Sequence, residues 1–349
     1  MDATAAGISA PDGGTRVGLA RRRRYRRQPT GKRIELVPRD IELFKLLARY
    51  RYLRSTTLFR FLGGRSENRF KKRLGDLYHE GRYLDRPPEQ WQAFDARYAP
   101  AIYALGRRGY EVLAELGLLD GLEPAAVRRA GLGAGRQFAH ALMVYDTLAE
   151  IELRTRARPG LRFVPWREIF ERAPAAARAA RNPMALPVTL THRFRASGPS
   201  RRASFHLAPD AIFGIEYTMG QEQLYRFFAL EAERSNRIAG GDLAQTSFLK
   251  KALAYLEIAE SQAYRHRLGL PNLSVLVVAP SDARVQRMLD LLGELTQGQG
   301  SGLFLFRAVP VLGWPRQGPQ SDTELLTAPW RRAGRDDFRI AAAGSPELP

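Results

Sequence analysis

The chain has 349 residues, of which 44% are hydrophobic, so it can bury a sizeable core and is not a wholly disordered polymer. Its 55 Lys and Arg residues against 36 Asp and Glu give a formal charge of +19, an excess that favours a polyanionic partner such as nucleic acid. The absence of cysteine excludes disulfides and thiolate zinc sites, and no apolar run has the length of a membrane span, so we expect a cytoplasmic protein.

Residues 1–33 are predicted to form a disordered basic arm. They offer almost no apolar side chains and contain a run of six arginines and one tyrosine, so burial cannot offset the entropy of ordering them. The arm either contacts DNA phosphates without sequence preference, through Arg22, Arg23 and Arg24 among others, or is a solubilising tail.

Residues 34–118 are predicted to form a winged helix-turn-helix domain. Apolar residues at helical spacing begin at Val37, and Ser55 and Ser66 are candidate N-caps of a second and a third helix. Gly63 and Gly64 separate these two helices. A β-hairpin with a long tip follows, and a further helix closes the unit. Three helices followed by a hairpin are typical of a winged helix.

The predicted third helix carries basic side chains opposite an apolar face formed by Phe70, Leu74 and Leu77. A winged helix places this helix in the major groove, where Arg and Lys reach phosphates or guanine edges. The alternative is a solvated helix face. The predicted DNA contacts are Arg69, Lys71, Lys72 and Arg73.

Residues 137–314 are predicted to form a mixed-sheet α/β domain, after a linker at 119–136 and before a poorly ordered tail at 315–349. The pattern starts with a long helix from Gln137 to about Arg156. Later segments predict antiparallel hairpins that feed a parallel edge. The predicted strands are 162–166, 188–194, 204–217, 224–233, 273–278 and 303–306, and the predicted helices between them are 244–267 and 283–295.

Acidic residues lie at the ends of two of the predicted strands. Asp210 follows Pro209 amid apolar residues, and Glu231 and Glu233 end an apolar run about twenty residues later. Alternate residues of a strand share a face, so Glu231 and Glu233 are presented together, and Asp210 on a neighbouring strand joins them. Three close carboxylates suit Mg²⁺ or Mn²⁺. The alternative is a set of solvated strand-end charges that pair with nearby arginines.

The order of these parts resembles the core of the PD-(D/E)XK nucleases, that is, restriction-endonuclease-like domains. The resemblance implies that Asp210 and Glu231 hold the metal, and Glu233 is the third carboxylate of the predicted metal site. In that family a lysine two residues after the glutamate steadies the attacking water, but here that position is Glu233. Some members take the lysine from the following helix, and Lys251 lies there, one turn before Tyr255. The implied catalytic set is therefore Asp210, Glu231, Glu233 and Lys251, and the alternative for the lysine is a surface position.

With both predicted domains taken together, the chain resembles the replication-relaxation family of plasmid and mobile-element proteins from about Leu36 to Ala279. The resemblance implies DNA binding at a plasmid replication or transfer region. The sequence has Glu233 where the family more often has Asp. The matching segments are Tyr103-Ala104-Leu105-Gly106 with Gly109, His140, Trp166-Arg167-Glu168, Ala208-Pro209-Asp210-Ala211, Leu230-Glu231-Ala232-Glu233, and Lys251 with Tyr255.

Two of these residues have alternative interpretations. His140 is either a hydrogen-bonded helix residue or a catalytic group. Glu168 is either a fourth acidic contributor to the predicted site or an exposed strand-end charge.

Three functions fit the sequence. The first is a DNA-binding accessory protein of plasmid replication, relaxation or mobilisation, with double-stranded DNA as its partner. The second is a Mg²⁺-dependent endonuclease or nickase. The third is a winged-helix transcriptional repressor whose C-terminal domain binds a partner or forms a homodimer. Replication or mobilisation proteins are further candidate partners.

Overall fold

The computed structural model describes residues 22–24, 26–92, 99–119, 138–192, 201–234, 237–238, 247–309 and 324–342. These residues form a mixed α+β protein with ten α-helices and with sheets of three, two and seven strands. The mixture of helices with a mixed sheet confirms the coarse fold prediction. None of the described helices is long and apolar enough to cross a membrane.

The N-terminal unit is a group of helices around a small antiparallel sheet with the strand order β1-β3-β2. The Oγ of Ser66 accepts a hydrogen bond from the Arg69 amide at 3.3 Å, so the predicted cap of the third helix is confirmed. Ser55 is the first residue of its helix rather than the cap, which is Arg54. The elements are α1 (Pro38–Tyr50), β1 (Leu53–Arg54), α2 (Ser55–Leu62), α3 (Glu67–His79), β2 (Leu84–Asp85), a 3-10 helix (Pro88–Gln92), β3 (Ile102–Leu105) and α4 (Arg107–Glu115).

The segment just before α1 differs from the predicted disordered arm. Arg22 forms ion pairs with Asp76 and Glu80 of the last turn of α3, and the guanidinium of Arg27 lies 4.3 Å from the ring centre of Tyr78. These contacts hold residues 22–24 and 26–33 against α3 because the facing helix supplies the carboxylates and the aromatic ring that arginine binds. Residues 1–21 of the predicted arm lie outside the described residues.

The C-terminal unit is built on a seven-stranded mixed sheet with the order β12-β11-β10-β9-β8-β7-β4. Strand β9 runs parallel to β8 and β10, and the other neighbours are antiparallel. Strands β5 and β6 form a separate hairpin. The elements are α5 (Phe138–Arg156), β4 (Leu161–Val164), α6 (Trp166–Arg172), α7 (Ala175–Arg178), β5 (Leu186–His192), β6 (Arg201–Leu207), β7 (Ala211–Met219), β8 (Glu222–Ala232), α8 (Phe248–Glu260), α9 (Ala263–Leu268), β9 (Ser274–Ala279), α10 (Asp282–Leu295), β10 (Ser301–Ala308), β11 (Trp330–Ala333) and β12 (Arg335–Phe338).

Two features of this unit differ from the sequence-based expectation. The single strand predicted for 204–217 is two strands, separated at residues 208–210, where Pro209 has no amide to donate to a ladder. The predicted tail contains β11 and β12, which extend the large sheet, and Trp330 and Ile340 are fully buried there. Because the tail is rich in proline and charged residues, its composition did not indicate that Trp330 and Ile340 would be buried. Residues 120–136 of the predicted linker at 119–136 lie outside the described residues.

Helix α5 joins the two units through paired charges. The pair Arg54–Asp146 has both side chains fully buried. An unpaired charge at such a place would be very costly, so these contacts fix how the N-terminal unit sits on the helix. The three pairs across this interface are Arg54–Asp146 at 2.9 Å, Arg60–Glu150 at 2.6 Å and Arg49–Glu152 at 2.5 Å.

Removing one partner of the buried pair should therefore destabilise the whole protein. We expect Asp146→Ala to lower the free energy of unfolding by about 3–5 kcal/mol, because Arg54 loses its carboxylate in a dry interface. The matched control is Glu111→Ala, which breaks an exposed pair with Arg107 and should cost less than about 1 kcal/mol. Urea denaturation measures both, and equal losses in the two variants would contradict this account.

Candidate functional site

Strands β7 and β8 bring the predicted acidic residues together at one end of the large sheet. Asp210 immediately precedes β7. Glu231 is the last residue but one of β8, and Glu233 directly follows the end of that strand. The antiparallel pairing sets Ala211 opposite Leu230, and the amide of Ala232 donates to Asp210 Oδ2 at 2.9 Å. The register of β7 against β8 thus brings Asp210 next to the end of β8 that carries Glu231 and Glu233.

Lys251 enters this cluster from helix α8. Its Nζ donates to Glu231 Oε2 at 2.5 Å and to Glu233 Oε1 at 2.7 Å. One turn later, the hydroxyl of Tyr255 donates to Glu231 Oε1 at 2.6 Å. Lys250 instead lies over the ring of Phe205, 4.4 Å from its centre. Of the two lysines, Lys251 therefore reaches the carboxylates.

Burial and charge shift the acidities in the cluster. Burial raises the pKa of Glu231 to about 7, although Lys251 and Tyr255 oppose the rise. Burial also acts to raise the pKa of Asp210, but the hydrogen bond from His140 and the charge of Lys251 outweigh it, so that the pKa is lowered. The cluster holds a carboxyl group that titrates near neutral pH beside one that stays ionised.

His140 reaches the same cluster from the first turn of α5. Its Nε2 lies 2.9 Å from Asp210 Oδ1. This hydrogen bond raises the pKa of His140, even though burial alone would lower it. The contact supports the interpretation of His140 as a hydrogen-bonded helix residue and places it against a predicted site residue.

Arg284 is a member of the cluster that the sequence did not predict. Its Nε donates to the backbone oxygen of Glu233 at 2.6 Å, and its guanidinium lies 3.6 Å from Glu233 Oε2. Burial lowers the pKa of Arg284. The residue lies in the first turn of α10, directly after β9, which runs parallel to β8. The rule that neighbouring parallel strands end at one sheet edge would have indicated it.

The carboxylates do not form an open set of metal ligands in this arrangement. The Lys251 ammonium lies between Glu231 and Glu233, and Asp210 is engaged by His140 and a backbone amide. Among the residues that the structure describes, no group of three His, Asp or Glu side chains is placed to hold a metal ion. The Mg²⁺ or Mn²⁺ site at Asp210, Glu231 and Glu233 stays a prediction.

Glu168 has a structural partner in the strand that precedes its helix. Arg162 of β4 donates to both of its carboxylate oxygens, at 2.7 and 3.0 Å, and also binds Glu216. The Arg162 hydrogen bonds lower the pKa of Glu168. Glu168 thus belongs to an ion-pair network at the edge of the sheet, which favours the interpretation as a charge with a structural partner, and a role as a fourth acidic contributor stays an untested prediction.

The predicted DNA contacts on α3 divide into two groups. Arg69 and Lys72 are exposed, and Lys71 is exposed and pairs with Glu67 at 2.8 Å. Arg73 turns the other way and binds Asp40 of α1, with Nε 3.1 Å from Oδ1. Arg73 therefore holds α1 and α3 together and does not belong to the outward face.

The predicted contacts in the arm are also divided. Arg22 is bound to acidic residues of α3, as described above, and Arg24 donates to the backbone oxygen of Ala99. Arg23 has an exposed side chain. Arg22 and Arg24 therefore bind other parts of the protein, although both were predicted to contact DNA.

A sequence model described as replication-relaxation matches residues 44–273, which is more than half of the chain. The chain belongs to the replication-relaxation family. The matched region runs from α1 to the loop before β9 and includes Asp210, Glu231, Glu233 and Lys251, whereas Arg284 lies beyond it. Comparisons with curated proteins and with solved structures gave no match.

Close backbone approach explains two glycines of the segment that suggested this family. A Cβ atom on Gly106 would lie 2.3 Å from the Arg82 oxygen, and one on Gly109 would lie 2.4 Å from the Tyr83 oxygen. Both distances are far below van der Waals contact, so α4 can pack against the chain entering β2 only without side chains at these positions.

The buried cluster generates a prediction about Lys251. Lys251→Ala leaves Glu231 and Glu233 buried without their ammonium partner, and we expect the free energy of unfolding to fall by about 3–5 kcal/mol. Lys250→Ala, one residue earlier, removes a cation over an aromatic ring and should cost about 1 kcal/mol. Chemical denaturation of both variants provides the comparison. A Lys251 variant as stable as the Lys250 variant would show that the ammonium is not the required counter-ion.

Proposed function

We propose that this member of the replication-relaxation family is a DNA-binding protein of plasmid replication, relaxation or mobilisation. In this proposal the N-terminal unit acts as a winged helix, and α3 is the helix that enters the major groove. The family membership supports the replication role, and the exposed basic surface of α3 supports DNA as the partner.

The observation that carries the proposal is one stripe of α3 and the residue before its cap. Asn68, Arg69 and Lys72 are exposed, and their spacing of three and four residues places them on one side of the helix, while Arg65 is exposed in the chain just before the cap. The opposite side, with Phe70, Leu74 and Leu77, is buried. Arginine and asparagine are the side chains that read guanine and adenine in the major groove, and lysine binds phosphate.

The partner contacts at the far end of α3 support the same orientation. Asp76 and Glu80 would repel DNA, but both are neutralised by the segment before α1. The hydrogen bonds from Lys32 and Arg22 lower the pKa of Asp76 although burial would raise it. The acidic end of the helix is therefore covered, and the basic end is left exposed.

Removing two stripe cations should weaken DNA binding without unfolding the protein. For Arg69→Ala with Lys72→Ala, we expect a loss of about 1–3 kcal/mol for each base contact removed and a smaller dependence of affinity on salt. Fluorescence anisotropy with duplex DNA at several salt concentrations measures both effects, and thermal melts verify the fold.

The control removes the same charge from the same unit. Lys45→Ala with Arg107→Ala takes away two exposed cations that lie outside the stripe and pair with Glu42 and Glu111. Equal losses of affinity in the two double variants would refute the assignment of α3. Arg73→Ala should lower stability instead, since it breaks the contact with Asp40.

A second candidate function is metal-dependent cleavage of DNA, favoured by the cluster at Asp210. Among the described residues, Glu233 Oε2 is buried without a hydrogen-bond partner, and an additional cation would satisfy it. Asp210, Glu231 and Glu233 would hold Mg²⁺ or Mn²⁺, with Lys251 beside them. The ion would supply a lowered pKa of bound water and stabilisation of phosphate charge. For the ion to bind, Lys251 has to give up at least one of its two carboxylate contacts.

Thermal melts with and without Mn²⁺ test this candidate. A metal that binds the folded protein raises the melting temperature of the parent by mass action. Asp210→Asn should melt at a lower temperature than the parent without metal, because it loses its charged contact with His140, and should not respond to Mn²⁺. Supercoiled plasmid incubated with Mg²⁺ or with EDTA then tests cleavage. A melting temperature that Mn²⁺ leaves unchanged in both proteins would exclude the metal site while leaving DNA binding intact.

A further inference from the structure

The segment from Arg172 to Pro209 has an unusual charge distribution. It contains seven arginines and two histidines and has no aspartate or glutamate over its whole length. In much of the rest of the described structure, by contrast, basic residues pair with acidic ones, as Arg162 does with Glu168 and Glu216. This segment contains α7 and the β5–β6 hairpin, which we call the ribbon (Leu186–His192 and Arg201–Leu207).

The ribbon has one buried and one exposed face. Val188 and Leu190 of β5 are buried, and Phe205 of β6 lies on the same side beneath Lys250. Strands β5 and β6 pair with each other and with no other strand among those the structure describes. The ribbon therefore lies on α8 through its apolar face and offers its other face to solvent. The exposed residues are Pro187, Thr189, Thr191, Arg202, Ser204 and His206.

The exposed face is polar and positively charged. Arg202 stands opposite Thr191, and the hydroxyls of Thr189 and Ser204 lie 3.0 Å apart. Arg178 and Arg181 are exposed just before β5, so cations flank the ribbon at both ends. Seven residues of strand span about 20 Å, which is enough to follow several phosphates of a DNA backbone. The exposed residues of this face that the structure describes include no Phe, Tyr or Trp on which an unpaired base would stack, and His206 offers a single imidazole ring.

We propose that the exposed face of the ribbon is a second DNA-binding surface, which holds duplex DNA by its phosphates. Arginine and hydroxyl groups contact phosphate oxygens, and a two-stranded ribbon fits the width of a major groove. The absence of carboxylates across the whole segment favours a polyanion over a protein partner. The proposal shares only its partner, DNA, with the proposed function of α3.

The position of the ribbon gives this surface a consequence for the candidate site. Strand β6 ends at Leu207, and Pro209-Asp210 follows directly. DNA held along the ribbon would therefore lie at the end of the sheet where Asp210, Glu231 and Lys251 meet. The α3 surface selects a DNA site, and the ribbon brings a neighbouring stretch of duplex to the carboxylate cluster.

The first test removes the two flanking cations from the full chain. Each phosphate contact contributes about 0.9 to the slope of log affinity against log salt, so Arg178→Ala with Arg202→Ala should reduce that slope by about two. The control is Arg335→Ala with Arg339→Ala, which removes the same charge from exposed positions at β12. Thermal melts of both variants verify the fold. A slope for the ribbon variant equal to that of the control overturns the proposal.

The second test locates DNA directly and does not depend on a loss of affinity. The chain has no cysteine, so Thr191→Cys provides a single thiol on the exposed face for a tethered iron chelate that cleaves nearby DNA. We expect cleavage of bound duplex from this position and none from the control Arg335→Cys. Equal cleavage from the two positions, in complexes that bind DNA as the parent does, overturns the proposal.

The two tests separate the ribbon from the α3 surface. If the ribbon variant loses affinity and the Arg69 and Lys72 variant does not, the ribbon stands and the assignment of α3 fails. If only the α3 variant loses affinity, the ribbon is overturned and the proposed function stands. A ribbon variant that loses affinity for single-stranded oligonucleotides and keeps affinity for duplex also overturns the proposal, since it assigns the surface to the wrong nucleic acid.

Discussion

The buried pair between Arg54 and Asp146 constrains how the two units of the protein are joined. Helix α5 packs against the large sheet on one side and against the N-terminal unit on the other, so it has little contact with water to accommodate a charge. Each carboxylate on the N-terminal side therefore needs an arginine at a defined position. Hydrophobic packing alone tolerates sliding, whereas three ion pairs along one helix allow a single register. The direction of α3 relative to the sheet follows from that register.

The same helix also touches the candidate site, because His140 lies one and a half turns before Asp146. The site is a group in which opposite charges balance: Lys251 lies between Glu231 and Glu233, and Arg284 lies beside Glu233. The hydrogen bond between His140 and Asp210 raises the pKa of His140. Burial raises the pKa of Glu231 to about 7, although the charge of Lys251 opposes the rise. A bound cation or a DNA phosphate would change the balance directly. Helix α5 thereby connects the proposed DNA-binding unit with the group most sensitive to added charge.

Local signals in the sequence predicted the parts of the fold that depend on neighbours along the chain. The cap at Ser66, the stop at Gly63 and the same-face placement of Glu231 and Glu233 are all set by short-range geometry. Contacts between distant segments were not predictable in this way. The arginines before α1 read as a mobile arm because their partners, Asp76 and Glu80, lie on a helix about fifty residues later. Arg284 was missed because only the order of parallel strands brings it to Glu233.

Because many arginines pair with carboxylates inside the protein, the net charge of +19 does not say which cations are available to DNA. Some cations form ion pairs within the protein, among them Arg22, Arg54 and Arg73. Contacts of this kind add no counterion release to DNA binding. In the two proposals above, DNA binds to exposed cations at the stripe of α3 and at the ribbon. Under these proposals, affinity for a polyanion depends on the local potential at these two surfaces more than on the total charge. Their separation along the chain means that one duplex must lie across both units to contact both surfaces.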